Sequence, residues 1–454
     1  MTQVADNLIQ TLATGLRGRL IRPGDSDYDD ARRVWNGMID KRPAAIARCT
    51  GAADVLHCVR FAREHDLLVS VRGGGHNYAG KSVCEGGLMI DLRPMKGIYV
   101  DPVGRTALAQ AGVDLGEFDH EMQAFGLATT LGVATDTGVA GLTLGGGYGW
   151  LGGKYGLACD NLLSAEVVTA DGSVLTANAE QNEDLFWGVR GAGANLGIVT
   201  SLEFQLHEVG PVLGGMATYP IAIGKEALRL FDEFSATCPD EVTTVIMVMV
   251  TPDGDPAVGF LACHCGPLEE GERILKPLRT FAQPLADSFA PMPYLQMQRL
   301  FEGSLPPGRL YYNKSSIVRR IEPAIDTLLE LARTMPTPLY SIGCQQLHGA
   351  AGRVGATETA FPHRYDHFTV WVNPASDDPA DSEEVVRWGR GAWDTIQPFM
   401  DKGVYVNALE DGLEEGEQRL AEAYGPNYQR LLAVNQKYDP TNFFRLNANV
   451  KPTV

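Results

Sequence analysis

The sequence lacks any apolar run of about 18 residues, the length that a membrane-spanning helix requires. Its N-terminal stretch also lacks the basic-then-apolar order of a secretory signal, so we expect a cytoplasmic protein. Positive charge is scarce, since 38 lysines and arginines stand against 56 aspartates and glutamates, a formal net charge of -18. So acidic a chain repels phosphodiester backbones and anionic lipids, and neither nucleic acid nor a membrane is an expected partner.

Cysteine is also sparse, with eight scattered residues in a chain of 454, unlike a disulfide framework. The sequence therefore predicts free thiols. The run Cys263-His264-Cys265 resembles a metal-binding motif, but alternation along a strand sends the two cysteines to one face and the histidine to the other. Without a second group of ligands a structural role is favoured, and no metal is expected.

What the chain does have is the composition of an ordinary folded protein, 44% hydrophobic and 21% charged. A chain of 454 residues exceeds the usual size of a single core, which favours two or three structural units. Glycine density falls near Gly210, and the sequence texture changes again near Gly403. We predict units at residues 1–209, 210–402 and 403–454, the last returning to the first.

Local patterns predict several elements of the first unit. A strand, an amphipathic helix and a second strand are predicted at Ala44–Cys49, Ala52–His65 and Leu67–Val71. A further strand is predicted at Leu88–Leu92, and two alternating segments around Asp171-Gly172 predict a hairpin. Beyond residue 210, helices are predicted at Lys225–Ala236, Gly271–Phe281 and Ile321–Met335.

Two glycine-rich stretches carry the functional signal. The first, Gly73–Gly75, follows a predicted strand and presents successive backbone N–H groups as a nest for pyrophosphate, with His76 at its exit. On spacing alone, a structural histidine is the favoured reading of His76. The second stretch, Thr137–Gly156, is so rich in glycine that we expect no side-chain core there, but a close approach of backbone to a ligand.

Within the second stretch, Gly147–Gly152 formally matches the dinucleotide-binding fingerprint, with Asp171 about twenty residues further on. The fingerprint needs a hydrophobic strand before it and a helix after it. The preceding apolar segment is short, Gly153 and Gly156 oppose a helix, and Asp171 belongs to the predicted hairpin. A Rossmann site is therefore disfavoured.

Five blocks, in this order, resemble the berberine-bridge-enzyme-like branch of the vanillyl-alcohol-oxidase flavoproteins. They are VRGGGHNYAG, the stretch TDTGVAGLTLGGGYGWLGGKYGLACDNLLSAEVVTADG, WGVRGAGANLGIVT, Tyr405-Val406-Asn407 and YDPTNFFRLNANV. The resemblance spans about Pro43 to Val454 and is vaguest in the middle. It implies an α+β fold: a PCMH-type FAD-binding domain of two subdomains, and an α+β substrate domain whose antiparallel sheet covers the flavin ring.

The resemblance also implies that FAD is linked covalently to His76 through its 8α-methyl carbon, while Arg72 to Gly75 hold the pyrophosphate. Some family members add a cysteinyl link, but Ala134 stands at the matching position here, so a single attachment is expected. Cys159 is interpreted as a packed thiol, and His363 as part of a structural motif. A link through imidazole should raise the flavin potential and prevent loss of the cofactor.

The remaining site residues follow from matched positions. The residues expected to bind the cofactor are Arg72, Gly73, Gly74, Gly75, His76, Asn77, Thr137, Gly138, Gly141, Gly145, Gly146, Gly197, Ile198, Val199, Tyr405, Asn407, Asn447 and Asn449. Tyr405 is the preferred general base and Tyr148 the second candidate; the alternative for both is an aromatic wall of the substrate site. Gln346 and His348 are weaker candidates for substrate contacts.

The favoured function is an FAD-linked oxidase that takes hydride from an alcohol, sugar, amine or aromatic natural-product intermediate, with dioxygen as acceptor. One rival is a flavin-dependent oxygenase or oxidative cyclase. Another is a flavin-carrying binding protein without turnover, which the Tyr405-Val406-Asn407 motif disfavours. The expected partners are therefore a small molecule and dioxygen, for a monomer or a homo-oligomer.

Overall fold

The computed structural model describes residues 6–409 and 412–452. Three main sheets organise the chain, and the first of them is small. Its four strands, in spatial order, are Arg19–Ile21, Ala45–Arg48, Leu88–Asp91 and Val69–Arg72. The last three are parallel and the first is antiparallel to its neighbour. The predicted strand–helix–strand is present, with Leu88–Asp91 lying between its two strands.

A second sheet of five antiparallel strands follows. In spatial order its strands are Ile98–Asp101, Thr106–Gln110, Ile198–Gln205, Leu162–Val168 and Val174–Asn178. The predicted hairpin is present at the edge of this sheet, where Val168 pairs with Val174 across the Asp171-Gly172 turn.

Helix Ala52–Glu64 packs between the first two sheets, as its apolar face requires. Val55, Cys58, Val59 and Ala62 of this helix are buried in the core that the two sheets share. The other helices before residue 210 are Asp6–Thr14, Tyr28–Arg32, Leu115–Gln123, Val139–Leu144, Gly152–Tyr155 and Glu183–Val189.

The third sheet is large and antiparallel. In spatial order its strands are Ala286–Asp287, Val212–Pro220, Pro256–His264, Val242–Val250, Ser341–Leu347, His367–Asn373 and Lys314–Val318, with Ala290–Met292 paired to Val212–Pro220. One face packs against helices Gly224–Ser235, Leu268–Thr280, Ile325–Thr334 and Ser382–Ile396. The other face is turned toward the glycine-rich segment. The predicted α+β class with an antiparallel sheet is confirmed.

Short pairs and terminal helices complete the chain. Leu127–Ala128 pairs with His207–Glu208, and Leu310–Tyr311 pairs with Ala375–Ser376. The remaining helices are Tyr294–Gln298, Ala350–Arg353, Gly412–Tyr424 and Tyr428–Tyr438. The last of these packs against helix Glu183–Val189, which brings the C-terminal part of the chain back to the first half.

The expectation that residues Thr137–Gly156 form no side-chain core is wrong. Tyr148, Trp150 and Leu151 are buried, and Trp150 is among the largest fully enclosed side chains of the protein. Because glycine allows sharp turns of the backbone, the larger residues between the glycines can point inward.

The eight cysteines are free thiols, as predicted. Cys263 and Cys265 pack in one apolar cluster, whereas His264 lies on the opposite side of the strand beside Gly271. Within the described ranges, no group of three or more His, Cys, Asp or Glu side chains could hold a metal ion. No helix in the same ranges is long and apolar enough to cross a membrane.

Candidate active site

The first glycine loop leaves the end of strand Val69–Arg72 and folds over the Arg72 side chain. Gly75 has φ +81°, and a Cβ atom there would lie 2.8 Å from Nε of Arg72. The guanidinium donates a hydrogen bond to the carbonyl oxygen of Ala31 at 2.8 Å, and burial lowers the pKa of Arg72 to about 10. Asn77 closes the loop by accepting the backbone N–H of Lys81. Arg72 thus supports the loop from beneath.

A second glycine loop lies against the first. A Cβ atom on Gly74 would be 2.4 Å from the backbone nitrogen of Gly138, and the reverse distance is also 2.4 Å. Leu115 N–H binds the carbonyl oxygen of Thr137 at 2.9 Å and holds this loop in place. Glycine at both positions is what allows the two backbones to approach so closely.

Helix Val139–Leu144 continues from this loop and ends in three consecutive glycines. Gly146 and Gly147 have φ +124° and +87°, and they turn the chain so that Tyr148 enters the interior. At Gly145, a Cβ atom would lie 2.1 Å from Oδ1 of Asn407. The glycine turn therefore admits the Tyr405–Asn407 segment, which is about 260 residues away in sequence.

Tyr405 is anchored at this turn through its phenolic oxygen. That oxygen accepts the backbone N–H of Gly147 at 3.0 Å and the Nδ2 amide of Asn407 at 2.8 Å. Asn407 also donates to the carbonyl oxygen of Leu142 at 3.0 Å. Burial raises the pKa of the Tyr405 phenol, and the two donors act in the opposite direction. Of the two candidate bases, Tyr405 is therefore the one whose phenolate form is stabilised by two hydrogen-bond donors.

Tyr148 stacks on Tyr405, but its hydroxyl group has a different partner. Nδ1 of His367 lies 2.7 Å from the carbonyl oxygen of Tyr365, which can only accept, so Nδ1 carries the proton. Nε2 of His367 therefore accepts the hydroxyl of Tyr148 at 3.3 Å. Burial lowers the pKa of His367 to about 3 and raises that of Tyr148. Tyr148 is thus held as a neutral donor.

His76 lies beside the second glycine loop, at the edge of the candidate site. Its ring stacks on Trp35, with centroids 4.1 Å apart and planes inclined by 21°. Its Nε2 atom lies 3.2 Å from Oδ1 of Asp136, and the histidine side chain is 16% exposed. The ring is therefore fixed yet reachable.

The C-terminal segment docks beside the same glycine turn. Gly193 N–H binds the carbonyl oxygen of Leu144 at 2.8 Å. The side-chain amide of Asn195 donates to the carbonyl oxygen of Ala448 and accepts the backbone N–H of Val450. Asn447 donates to the carbonyl oxygen of Ala194 at 2.9 Å.

Three of the expected cofactor-binding residues lie mainly in the core. Gly197, with φ +154°, leads into strand Ile198–Gln205, and the side chains of Ile198 and Val199 are buried. Their proposed contact with the adenosine end of FAD stays a prediction.

The candidate substrate contacts lie on strand Ser341–Leu347 and just beyond it. Gln346 faces the helices: its amide donates to Ser235 at 2.6 Å and accepts from Thr244 at 2.7 Å. His348 has Nε2 2.7 Å from the carbonyl oxygen of Val242. Strand alternation turns the side chain of Gln345 to the opposite face. A narrow cavity beside Tyr148 is lined by Gln345 and Leu347, and also by Gln346 and His348. Substrate contact by Gln346 and His348 stays a prediction, and the geometry adds Gln345.

A buried ion pair lies behind the two tyrosines. Arg364, which is fully buried, binds Asp160 at 2.6 Å and also contacts the thiol of Cys159. Burial raises the pKa of Cys159, which keeps the thiol protonated. His363 lies next to this pair with its pKa lowered to about 4 by burial, and its Nε2 is 3.2 Å from the carbonyl oxygen of Val404.

The residues present fit FAD. The two facing glycine loops offer bare backbone, and at Gly141 a Cβ atom would meet nothing within 4 Å, so the helix is open on that side. Within the described residues, the buried amide oxygens of Asn447 and Asn449 have no hydrogen-bond partner and can accept from a ligand. When bound, FAD supplies a two-electron acceptor for the substrate.

Several residues of the candidate site were not predicted from the sequence. His367, Asp136, Trp35 and Gln345 were not among the candidates, because each acts through a partner distant in sequence; Tyr148 and His367, for example, are 219 residues apart. The alternating pattern of strand His367–Asn373 was the available signal, since it places His367, Thr369 and Trp371 on one face.

Comparison with known proteins agrees with this geometry. Residues 43–178 match the family "FAD binding domain", and residues 404–451 match "Berberine and berberine like". The fold and the site define an FAD-linked oxidoreductase.

The relatives are similar over nearly their whole length. The (R)-6-hydroxynicotine oxidase of Paenarthrobacter nicotinovorans is 33% identical, covering 97% of this chain and 98% of the relative. An FAD-linked oxidoreductase of Dictyostelium discoideum is 30% identical over 99% and 98%. The crystal structure of 6-hydroxy-D-nicotine oxidase from Arthrobacter nicotinovorans superimposes with a TM-score of 0.87 at 30% identity, covering 96% and 98%. The chain belongs to the berberine-bridge-enzyme-like FAD-linked oxidoreductases of the vanillyl-alcohol-oxidase superfamily.

Proposed function

We propose that this chain is an oxidase with FAD bound covalently through His76, and that it oxidises a small heterocyclic or aromatic amine or alcohol with dioxygen as the electron acceptor. The observation that carries the proposal is the placement of His76. Its imidazole lies beside the contact between the two glycine loops, partly exposed and held by Trp35 and Asp136.

The walls of the cavity support the substrate class. The cavity is lined by the apolar side chains of Leu157, Leu347 and Ala351, by the ring of Tyr148, and by Gln345, Gln346 and His348. Gln346 and His348 already bond to protein groups, which leaves the Gln345 amide to fix a polar group of the substrate. A sugar would need a hydrogen-bond partner for each hydroxyl that it buries. A flat ring with one or two polar atoms fits such walls better. The similarity to a 6-hydroxynicotine oxidase points in the same direction.

Tyr405 is the proposed proton acceptor for a substrate O–H or N–H group. Two N–H donors on its oxygen stabilise the phenolate, whereas the Tyr148 oxygen is committed as a donor to His367. The buried setting excludes water, and Tyr148 provides a stacked wall that fixes the Tyr405 ring.

The covalent link is tested by acid precipitation. The wild-type pellet should remain yellow and fluorescent, and His76→Ala should release its flavin into the supernatant. His57→Ala is the matched control, because His57 lies on helix Ala52–Glu64 and should leave the link intact. A wild-type protein whose flavin washes out freely would refute the attachment.

The substrate class is tested by peroxide release. Cyclic amines, benzylic alcohols, phenols and sugars are offered in turn to the aerated holoenzyme, with and without catalase. Turnover is expected with the flat-ring compounds. Activity confined to sugars would refute the assignment drawn from the cavity walls.

A further inference from the structure

The His76 imidazole is held from two directions, and each contact restricts a different freedom of the ring. Trp35 lies flat on one face and is itself stacked on Tyr311, with centroids 3.8 Å apart and planes 9° from parallel. The backbone N–H of Trp35 binds the carbonyl oxygen of Gly75 at 3.1 Å, and its indole N–H binds the carbonyl oxygen of Leu305 at 3.0 Å. The first bond ties the residue to the glycine loop, and the second fixes the orientation of its ring. This stack fixes the plane of the imidazole.

Asp136 contacts the edge of the same ring and determines which nitrogen carries the proton. Its Oδ1 atom lies 3.2 Å from Nε2 of His76, and a carboxylate can only accept. In the neutral imidazole the proton therefore resides on Nε2, and the lone pair available for bond formation is on Nδ1.

We propose that Asp136 is a positioning residue for cofactor attachment: by accepting the Nε2 proton in a hydrogen bond, it directs bond formation to Nδ1 of His76. This role of Asp136 rests on the covalent link proposed above.

In the attachment, Nδ1 of His76 forms a bond to the 8α carbon of the flavin. One hydrogen of the 8α-methyl group and the N–H proton of the imidazole are transferred to the flavin ring system. The product is the covalently linked cofactor in its two-electron-reduced form. Dioxygen then takes two electrons and two protons and leaves as hydrogen peroxide. Until the N–H proton departs, the imidazole is positive, and the adjacent carboxylate stabilises that charge.

The side chain of Asp136 is 48% exposed, so water screens its charge. Its hydrogen bond, which fixes the tautomer and the ring orientation, is therefore the larger effect. Asp136→Asn keeps an oxygen that can accept from Nε2, and Asp136→Ala removes it. The two variants separate the hydrogen bond from the charge.

The experiment measures the rate of attachment in the full chain. Each variant is purified from flavin-depleted cells, supplied with FAD in air, and sampled for flavin fluorescence in denaturing gels. Asp136→Ala should slow attachment by about 10- to 100-fold, the usual effect of losing a partner that fixes a histidine tautomer. Asp136→Asn should lie closer to the wild type. Asp253→Asn, in an exposed turn, is the matched control and should attach at the wild-type rate.

Two further measurements identify the nitrogen atom that is attached and test whether Asp136→Ala merely weakens the binding of FAD. The flavin peptide from proteolysed wild type should show the Nδ1 isomer by NMR, and the noncovalent affinity for FAD before attachment should change by less than about threefold in Asp136→Ala. An Nε2 link, a wild-type rate in Asp136→Ala, or an Asp136→Asn rate as low as that of Asp136→Ala would overturn the inference. A wild type with only dissociable flavin would instead refute the covalent link itself.

Discussion

The ring of Tyr148 lies parallel to that of Tyr405, with centroids 4.4 Å apart and planes 7° from parallel, and yet the two hydroxyl groups differ in their partners. The Tyr405 oxygen accepts two hydrogen bonds, whereas the Tyr148 hydroxyl donates one. Two adjacent phenols thus have opposite hydrogen-bonding roles, and this difference supports the proposal that Tyr405 is the base and Tyr148 an aromatic wall of the site.

Tyr405→Phe should slow flavin reduction by about a hundredfold or more, because the proton acceptor is lost. Tyr148→Phe keeps the stacked wall and should slow it much less. Stopped-flow reduction of the anaerobic holoenzyme measures both rates. Equal losses in the two variants would contradict the assignment of the base to Tyr405.

Two glycine substitutions should separate folding from cofactor binding. Gly74→Ala brings a Cβ atom to 2.4 Å from the backbone of Gly138 and should lower the melting temperature of the protein even without flavin. At Gly141 a Cβ atom meets no protein atom within 4 Å, so Gly141→Ala should fold normally but bind FAD at least tenfold more weakly. Thermal unfolding and flavin titration give the two quantities. Normal FAD affinity in Gly141→Ala would show that the cofactor does not lie against that residue.

Removing one partner of the buried ion pair should be costly. Arg364→Met leaves Asp160 without its cation and should destabilise the fold by about 3–5 kcal/mol, measured by urea unfolding. The exposed pair of Lys225 and Asp326 provides the control, since surface pairs contribute little. Lys225→Met should therefore unfold at the wild-type urea midpoint, and a similar loss in both variants would contradict the special role of the buried pair.

Stability should depend on pH through Asp119, which is buried against Gln298 between helices Leu115–Gln123 and Tyr294–Gln298. Burial raises its pKa from 3.8 to about 7. The native state then binds more protons than the unfolded state between these values, so this contribution to stability is present at low pH and is lost as pH rises toward 7.

Asp119→Asn should abolish that contribution. Its stability relative to wild type should rise on the order of 3 kcal/mol between pH 4.5 and pH 7.5. Urea unfolding at several pH values, with Asp253→Asn as control, measures the difference. A gap that stays constant with pH would rule out titration of Asp119 in this window.

The parts of this molecule that depend on short-range pattern were predictable. The periodicity of Ala52–His65 predicted a helix that the structure has at Ala52–Glu64, and the Asp171-Gly172 turn predicted its hairpin. The short strand Arg19–Ile21 was missed, since three residues in a polar stretch carry no periodic signal. The burial of Trp150 was also missed, because it depends on partners such as Phe301 from a distant segment.

Candidate site residues could be predicted where they belong to a sequence motif, but not where only a contact in space identifies them. Gly73–Gly75, His76 and Tyr405 were proposed as site residues from the blocks that resemble the family. Gln345 was not singled out beside Gln346, because sequence alone does not fix which face of a sheet each residue of a strand occupies. Asp136 and His367 became visible only as neighbours of His76 and Tyr148 in space.

The docking of Asn407 at Gly145, and of residues 447–450 on Asn195, has a consequence for biosynthesis. A ribosome that has delivered the glycine loops and His76 has still to make more than half of the chain before the partners of those loops exist. We therefore expect FAD to be captured only when synthesis is nearly finished, and a chain that ends before Tyr405 to remain colourless. Flavin colour in a newly made chain would then report that the segment from Tyr405 to Val450 has docked on the first half.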